Sequence, residues 1–188
     1  SLRVARSNYP VVTPATPQTP ATRPDQGHSS ARLALAYGQQ DQRPFVELGF
    51  RPALHDLLDP EPGYARGAQI AFAEVTARVY AHDHAEVERI DLINIASLSP
   101  RTALFQPKSW RARWALERLD TIAGRVLTHT IAGSMGMAWD FAPQVMTYAF
   151  ADLRTDYIPE WDTRTSMGAG VSAGALWDVH SAWRLMAN

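Results

Sequence analysis

The chain has 188 residues, with 18 Lys and Arg against 19 Asp and Glu, so it has no basic excess that would indicate a nucleic-acid partner. Its hydrophobic content of 46% is too high for a disordered protein, yet no apolar run of about 18 residues predicts a transmembrane helix. Cysteine is absent, which excludes disulfides, thiol nucleophiles and zinc sites with cysteine ligands.

Proline and threonine are concentrated near the start of the chain, in residues 8–28. Proline at this density blocks helices and interior strands, so an extended linker is expected there. The start has no apolar signal-peptide core, and the end falls inside a strand-like pattern. We therefore expect a Pro/Thr-rich lead-in over residues 1–27 and a β-barrel domain over residues 28–188 that is truncated at its C-terminus.

Two alternating segments follow the lead-in and predict a hairpin. Leucine and tyrosine alternate with arginine and alanine in residues 31–38, and residues 45–51 repeat the alternation with Glu47 and Arg51 on the polar face. A period of two on both sides of a short polar turn is typical of paired strands. The polar face combines charges with small residues, which suits either a solvent-facing sheet or the lumen of a barrel where charged groups pair.

Residues 109–117 repeat this pattern, with Trp110, Trp114 and Leu116 opposite three charged residues. Further strands are predicted near residues 67–80, 87–98, 124–139, 144–154, 166–176 and 179–186. Glycine recurs in two of them, as in curved barrel walls. The sequence thus predicts an all-β antiparallel meander of roughly nine strands that forms a partial transmembrane β-barrel.

Aromatic side chains are placed near the ends of the predicted strands, where amphipathic rings would lie at the level of lipid headgroups. This placement favours a membrane barrel over a soluble one. The residues are Tyr37, Tyr80, Trp110, Trp139, Tyr157, Trp161 and Trp177.

Three stretches are distinctive: residues 51–64, 89–100 and 106–110. Together they resemble the C-terminal region of a Gram-negative protein family named for its Lnb-type N-terminal periplasmic domain. The resemblance covers residues 26–188 and is strongest over residues 44–114. It implies a bacterial outer-membrane β-barrel of unassigned function, with outer-membrane lipid and the N-terminal periplasmic domain of the same full-length protein as partners. No established catalytic role comes with the resemblance, and no cofactor is expected.

The connection after the second strand carries the best local group of chemical side chains, His55, Asp56 and Asp59. Two carboxylates and an imidazole could bind a divalent cation or transfer protons. The simpler interpretation is a structured loop in which the aspartates cap backbone turns. The tripeptide His82, Asp83 and His84 likewise resembles a metal motif but reads more simply as a polar turn.

Charged residues on the polar strand faces form a candidate lumen. They would define a permeation path if the lumen is wet, or a salt-bridged wall if it is packed. The set is Arg32, Glu47, Arg51, Arg111, Arg113, Glu117 and Arg184.

The sequence predicts a non-catalytic outer-membrane barrel region that anchors a periplasmic domain, with transport or binding through the lumen as a further role. One alternative is a soluble β-barrel or sandwich that binds lipid or carbohydrate, in which a second layer would cover Trp110, Trp114 and Leu116. Another is an outer-membrane barrel hydrolase, for which no motif joins the available serines and histidines: Ser29, Ser30, His28, His129 and His180.

Overall fold

The computed structural model of the protein describes residues 27, 29–59, 63–81, 85–121, 124–159, 163–180 and 183–188. All the regular elements in these ranges are β-strands, which confirms the predicted all-β class. They are β1 (Arg32–Gln40), β2 (Arg43–Arg51), β3 (Ala53–His55), β4 (Ala68–Tyr80), β5 (Ala85–Ser97), β6 (Ser109–Thr121), β7 (Gly124–Ala142), β8 (Val145–Tyr157), β9 (Thr165–His180) and β10 (Trp183–Ala187).

The strands form one antiparallel sheet in the order β1-β2-β4-β5-β6-β7-β8-β9-β10, while the short β3 pairs with β4 beyond the end of β2. Nine of the ten strands in the described ranges follow one another across the sheet in chain order, as the predicted meander requires. The short β3 was not predicted. The predicted break before residue 179 is wrong, because β9 continues to His180. Within the described ranges β1 and β10 do not pair with each other, so the sheet is open.

The sheet is strongly curled. The Arg111 guanidinium on β6 donates to the Ser172 hydroxyl on β9 at 2.9 Å, although β7 and β8 lie between them. In a flat sheet three strand intervals would separate these backbones by roughly 14 Å, which is beyond the reach of one side chain. The face that carries Arg111 is therefore concave, and the alternate residues lie on the convex face.

Apolar side chains occupy the convex face on every long strand. Leu33 is 82% exposed and Val171 is 88% exposed, so no element among the described residues covers them. The exposed residues of this face include Leu35, Leu48, Phe50, Ile70, Phe72, Val79, Trp110, Trp114, Ile131, Met135, Met137, Trp139, Leu153, Met167 and Trp177.

A local irregularity keeps β4 in phase with this division. Phe72 pairs with Ile93 on the convex face and Glu74 pairs with Asp91 on the concave face, while Ala73 between them has a φ of 52°. Without this irregularity, strict alternation would turn Glu74 and every later polar residue of β4 to the convex face. The irregularity therefore preserves the apolar exterior and the polar interior together.

The connections between strands differ in length between the two ends of the sheet. The β1–β2, β4–β5, β6–β7 and β8–β9 connections share the hairpin end, and the others share the loop end. The loop end carries the two longest, residues 52–67 and 98–108. At Gly67, φ is +76° and a Cβ would collide with the Leu98 carbonyl oxygen, so glycine is required where these two connections meet.

A small apolar core fills the concavity at the loop end. It consists of Leu57, Leu98, Ala138, Met146, Tyr148, Phe150 and Leu176. No helix in the described part of the chain is long and apolar enough to cross a membrane.

Candidate functional site

The middle of the concave face holds a network of ion pairs. Arg113 donates to Asp91 through Nε and to Glu117 through Nη2, each at 2.5 Å. Arg154 joins the network at Glu117 (2.6 Å) and at Asp156 (2.8 Å). Asp91, Glu117 and Asp156 are buried, and a buried carboxylate is tolerated only when it is paired in this way.

A second group surrounds Arg111 closer to the loop end. Its Nη2 donates to Asp152 at 3.0 Å and to Ser172 at 2.9 Å, while its guanidinium lies 4.5 Å from the centre of the Phe150 ring. The Ser134 hydroxyl donates to the same Asp152 oxygen at 2.5 Å. Arg111 therefore ties β6 to β8 and β9 and holds the curvature of the wall.

A third network occupies the hairpin end. Arg78 pairs with Glu47 at 2.8 Å and with Glu88 at 3.2 Å, and Arg125 contacts Glu86 and Glu88. Tyr80, placed at a membrane interface by the sequence pattern, is instead buried on the concave face. Its hydroxyl donates to Gln40 at 3.0 Å.

The loop with His55, Asp56 and Asp59 is a structured turn anchored on a buried arginine. The Asp59 carboxylate accepts hydrogen bonds from Arg51 Nη2 at 2.5 Å and from the Asp56 amide at 2.8 Å. Asp56 in turn accepts from the Leu58 amide, which completes an Asx-type turn. Arg51 is only 1% exposed, so Asp59 neutralises a charge that water does not reach.

This loop also crosses the mouth of the concavity, and we call residues 55–59 the strap. Leu57 packs in the loop-end core, and Arg184 on β10 donates to the carbonyl oxygens of Leu57 (3.0 Å) and Asp59 (3.2 Å). Arg32 on β1 lies 3.5 Å from the Asp59 carboxylate. The strap thus links the two edge strands of the open sheet.

His55 is held beside the strap by a ring contact. Its imidazole stacks on the Tyr64 ring with centroids 4.2 Å apart. In the described part of the chain, no group of three or more His, Cys, Asp or Glu side chains is arranged to hold a metal ion. The tripeptide His82, Asp83 and His84, together with His28, lies outside the described residues, and so does Trp161.

The seven predicted lumen charges all lie on the concave face, but they belong to different groups. Arg113 and Glu117 share the central network, while Arg32 and Arg51 meet at Asp59. The other three are placed apart: Arg111 near β9, Glu47 at the hairpin end and Arg184 at the strap.

Sequence reasoning missed several partners of these charges. Asp152, Arg154 and Asp156 alternate along β8, and this signal was present in the sequence. Asp91 was hidden by a second irregularity, because the β5–β6 register shifts between Asp91 and Ile93. A bulge breaks the period of two on which the prediction depended.

The histidine and serine residues considered for hydrolysis are described only in part, because His28 lies outside the described residues. His129 lies on the convex face beside Tyr157, with ring centroids 6.1 Å apart, and not in the lumen. The best serine–carboxylate contact is Ser134 with Asp152, and none of the described histidines contacts Ser134. Ser134 therefore has a carboxylate partner but no histidine base among the described residues.

A cavity of about 370 Å³ opens between the strap and the central network. Its apolar side includes Leu57, Leu98 and Met186, and its polar side includes Arg111, Arg113, Ser134, Asp152 and Arg154. This volume falls in the range of small-molecule sites.

A family model described as a domain of unknown function, DUF7840, matches residues 21–188. The chain belongs to the DUF7840 family. No curated protein and no solved structure matches the chain. In its described residues, this DUF7840 domain has two contrasting faces: an uncovered apolar exterior and an interior of paired charges beside a cavity.

Proposed function

We propose that this DUF7840 domain is part of an outer-membrane β-barrel that anchors a periplasmic domain of the same polypeptide in a Gram-negative bacterium. The observation that carries the proposal is the inverted distribution of polarity between the two faces. Trp110 and Trp114 are 42% and 44% exposed on the convex face, whereas Arg51 and Asp91 are buried on the concave side. A lipid exterior with a polar interior is the arrangement of transmembrane barrels.

The soluble alternative is disfavoured by the same residues. A water-soluble sandwich would cover Trp110, Trp114 and Leu116 with a second layer, and the described strands form a single sheet without one. Exposed apolar surface of this extent in water would promote aggregation. Lipid is therefore the partner that fits the convex face.

The strand lengths also support a spanning role. The strands from β4 to β9 have between 13 and 19 residues. About 9–11 residues suffice for a tilted strand to cross the hydrocarbon core. These strands can cross it and extend into the headgroup regions on both sides.

A single-cysteine scan along β9 tests membrane insertion, since the chain has no native cysteine. Ala169→Cys, Val171→Cys and Ala173→Cys place a polarity-sensitive label on the convex face, and Gly168→Cys and Gly170→Cys place it on the concave face. In the full-length protein in nanodiscs, we expect lipid-borne quenchers to reduce the emission of the convex labels alone. Emission without this alternation would overturn the proposal.

The anchoring role fixes an orientation, because β1 begins at the loop end. Arg32 pairs with Arg51, which is followed by the long connection, so the chain before β1 arrives on the same side as that connection. If a periplasmic domain precedes β1, the loop end is periplasmic, although outer-membrane barrels usually have their short turns there.

Labelling of intact cells with an impermeant maleimide tests this orientation. We expect Asp41→Cys in the β1–β2 turn to react from outside, and Leu104→Cys in the loop-end connection to react only after the outer membrane is opened. The reverse result would overturn the anchoring role while leaving the barrel itself intact.

A further inference from the structure

The cavity on the concave face joins two different surfaces. Leu57 and Leu98 come from the loop-end core, and Met186 from β10, so one half of the cavity is apolar. The other half contains Arg111, Arg113 and Arg154. A site with an apolar half and a cationic half matches a ligand that has the opposite polarity at its two ends.

The arginines of the cavity are more accessible than the carboxylates that pair with them. The side chains of Arg113 and Arg154 are 23% and 36% exposed, whereas Asp91 and Glu117 are 2% and 12% exposed. The difference is smaller for Arg111, which is 32% exposed beside Asp152 at 27%, and Asp152 also lines the cavity. The cavity wall therefore presents three guanidinium groups and one carboxylate, so its polar side has an excess of positive charge although the pairs as a whole are neutral.

Each of these arginines also retains hydrogen-bonding capacity. Arg111 uses only Nη2, while Arg113 and Arg154 use Nε and Nη2. Nη1 of all three has no acceptor among the described residues. Three guanidinium groups with unused donors around one cavity are a suitable receptor for the oxygens of an anion.

We propose that the cavity binds a single-chain amphipathic anion, whose carboxylate or phosphate head contacts Arg111, Arg113 and Arg154 and whose apolar tail lies against Leu57, Leu98 and Met186. The proposal rests on the shape and chemistry of the concave face and does not require membrane insertion. A free fatty acid and an alkyl phosphate monoester both combine an anionic head with an apolar chain in this way.

Calorimetric titration of the full-length protein in nanodiscs tests the proposal with four probes. Octanoate and octyl phosphate carry both parts of the ligand, octanol lacks the charge, and inorganic phosphate lacks the tail. We expect both amphiphiles to bind at least tenfold more tightly than octanol or phosphate. The ratio of their affinities identifies the preferred head group. Empty nanodiscs are titrated in parallel to subtract partition into lipid.

Variants then separate the cavity from the bilayer. Arg111→Gln is expected to weaken octanoate binding about tenfold through the loss of charge-assisted hydrogen bonds. Met186→Trp is expected to weaken it by filling the apolar half without touching an ion pair. Met135→Trp, on the convex face of β7, is the matched control and should bind as the parent protein does.

Heat-modifiable migration on gels verifies that each variant is folded, so that a folding defect is not counted as lost binding. Equal affinity for octanoate and octanol would overturn the proposal, and so would binding that neither Arg111→Gln nor Met186→Trp alters. Either result would leave the outer-membrane proposal standing, because the β9 cysteine scan tests that one independently.

Discussion

The contacts of the strap predict that two aspartates, each paired with an arginine, contribute very differently to the free energy of unfolding. Asp59→Asn removes a charge but keeps an amide oxygen for the Asp56 N–H, so the turn itself can persist. What it removes is the partner of Arg51, which is almost completely buried. The matched change is Asp140→Asn at the loop end, where the pair with Arg66 at 2.9 Å lies at the surface.

The expected magnitudes follow from burial. Removing one member of a buried ion pair costs about 3–5 kcal/mol, because the remaining charge is left without compensation. Arg51 would keep only the Asp56 carboxylate at 3.8 Å and a long bond to the Ser30 carbonyl oxygen, so we expect a loss of about 3 kcal/mol. The exposed pair of Asp140 is expected to contribute about 0–1 kcal/mol.

Denaturant titration of the full-length protein, monitored by tryptophan fluorescence, measures the free energy of unfolding of each variant. The double variant Arg51→Met/Asp59→Asn completes a cycle, and it should cost clearly less than the sum of its single changes because no uncompensated charge remains. Equal losses for Asp59→Asn and Asp140→Asn, or simple additivity in the cycle, would refute the role of the strap as a charged anchor.

Three further changes have defined outcomes. Leu57→Ala removes the strap's contact with the loop-end core and should lower the free energy of unfolding by about 2–4 kcal/mol. Leu58 is partly exposed, so Leu58→Ala should change this free energy by less than about 1 kcal/mol in the same titration. Gly67→Ala combines a positive φ with a collision at the Leu98 carbonyl and should cost about 1–3 kcal/mol, whereas Gly168→Ala, with open space at its Cβ, should stay within about 0.5 kcal/mol. Ile131→Arg on the convex face should destabilise the folded state in outer membranes by about 2–4 kcal/mol and so lower the folded fraction seen on gels. Leu104→Arg in the loop-end connection should leave the folded fraction unchanged. Similar folded fractions for these two variants would contradict a lipid-facing β7.

The alternation of side chains predicted the strands well, because successive residues point to opposite faces of the sheet and one face is apolar while the other is polar. On β6 the pattern alone separates Trp110 and Trp114 from Arg111 and Arg113, and the structure places them on opposite faces. The prediction failed near Asp91, where the β5–β6 register shifts and the facing residue of β4, Ala73, has a φ of 52°, since such an irregularity reverses the phase of the alternation without any change in composition.

Contacts across the concavity could not be predicted from the sequence. Arg184 and Leu57 are 127 residues apart, and Arg111 and Ser172 are 61 residues apart. These pairs meet only because the sheet curls, and curvature depends on the summed twist and bulges of many strands. The strap was therefore predicted as a turn with three candidate ligands, while its role in linking β1 and β10 required the structure.

The way in which the charged side chains of the concave face pair bears on whether the lumen conducts ions or binds a ligand. Arg113 and Arg154 lie between carboxylates, so the central network produces little net field along the concavity. A selective ion path needs a ring of one sign or separated opposite signs, which such close pairs do not supply. The same pairs stiffen the wall and leave guanidinium donors unused at a cavity that the strap partly covers. A rigid, neutral wall around one amphipathic cavity favours binding over permeation, and the affinity of octanoate relative to octanol measures that difference directly.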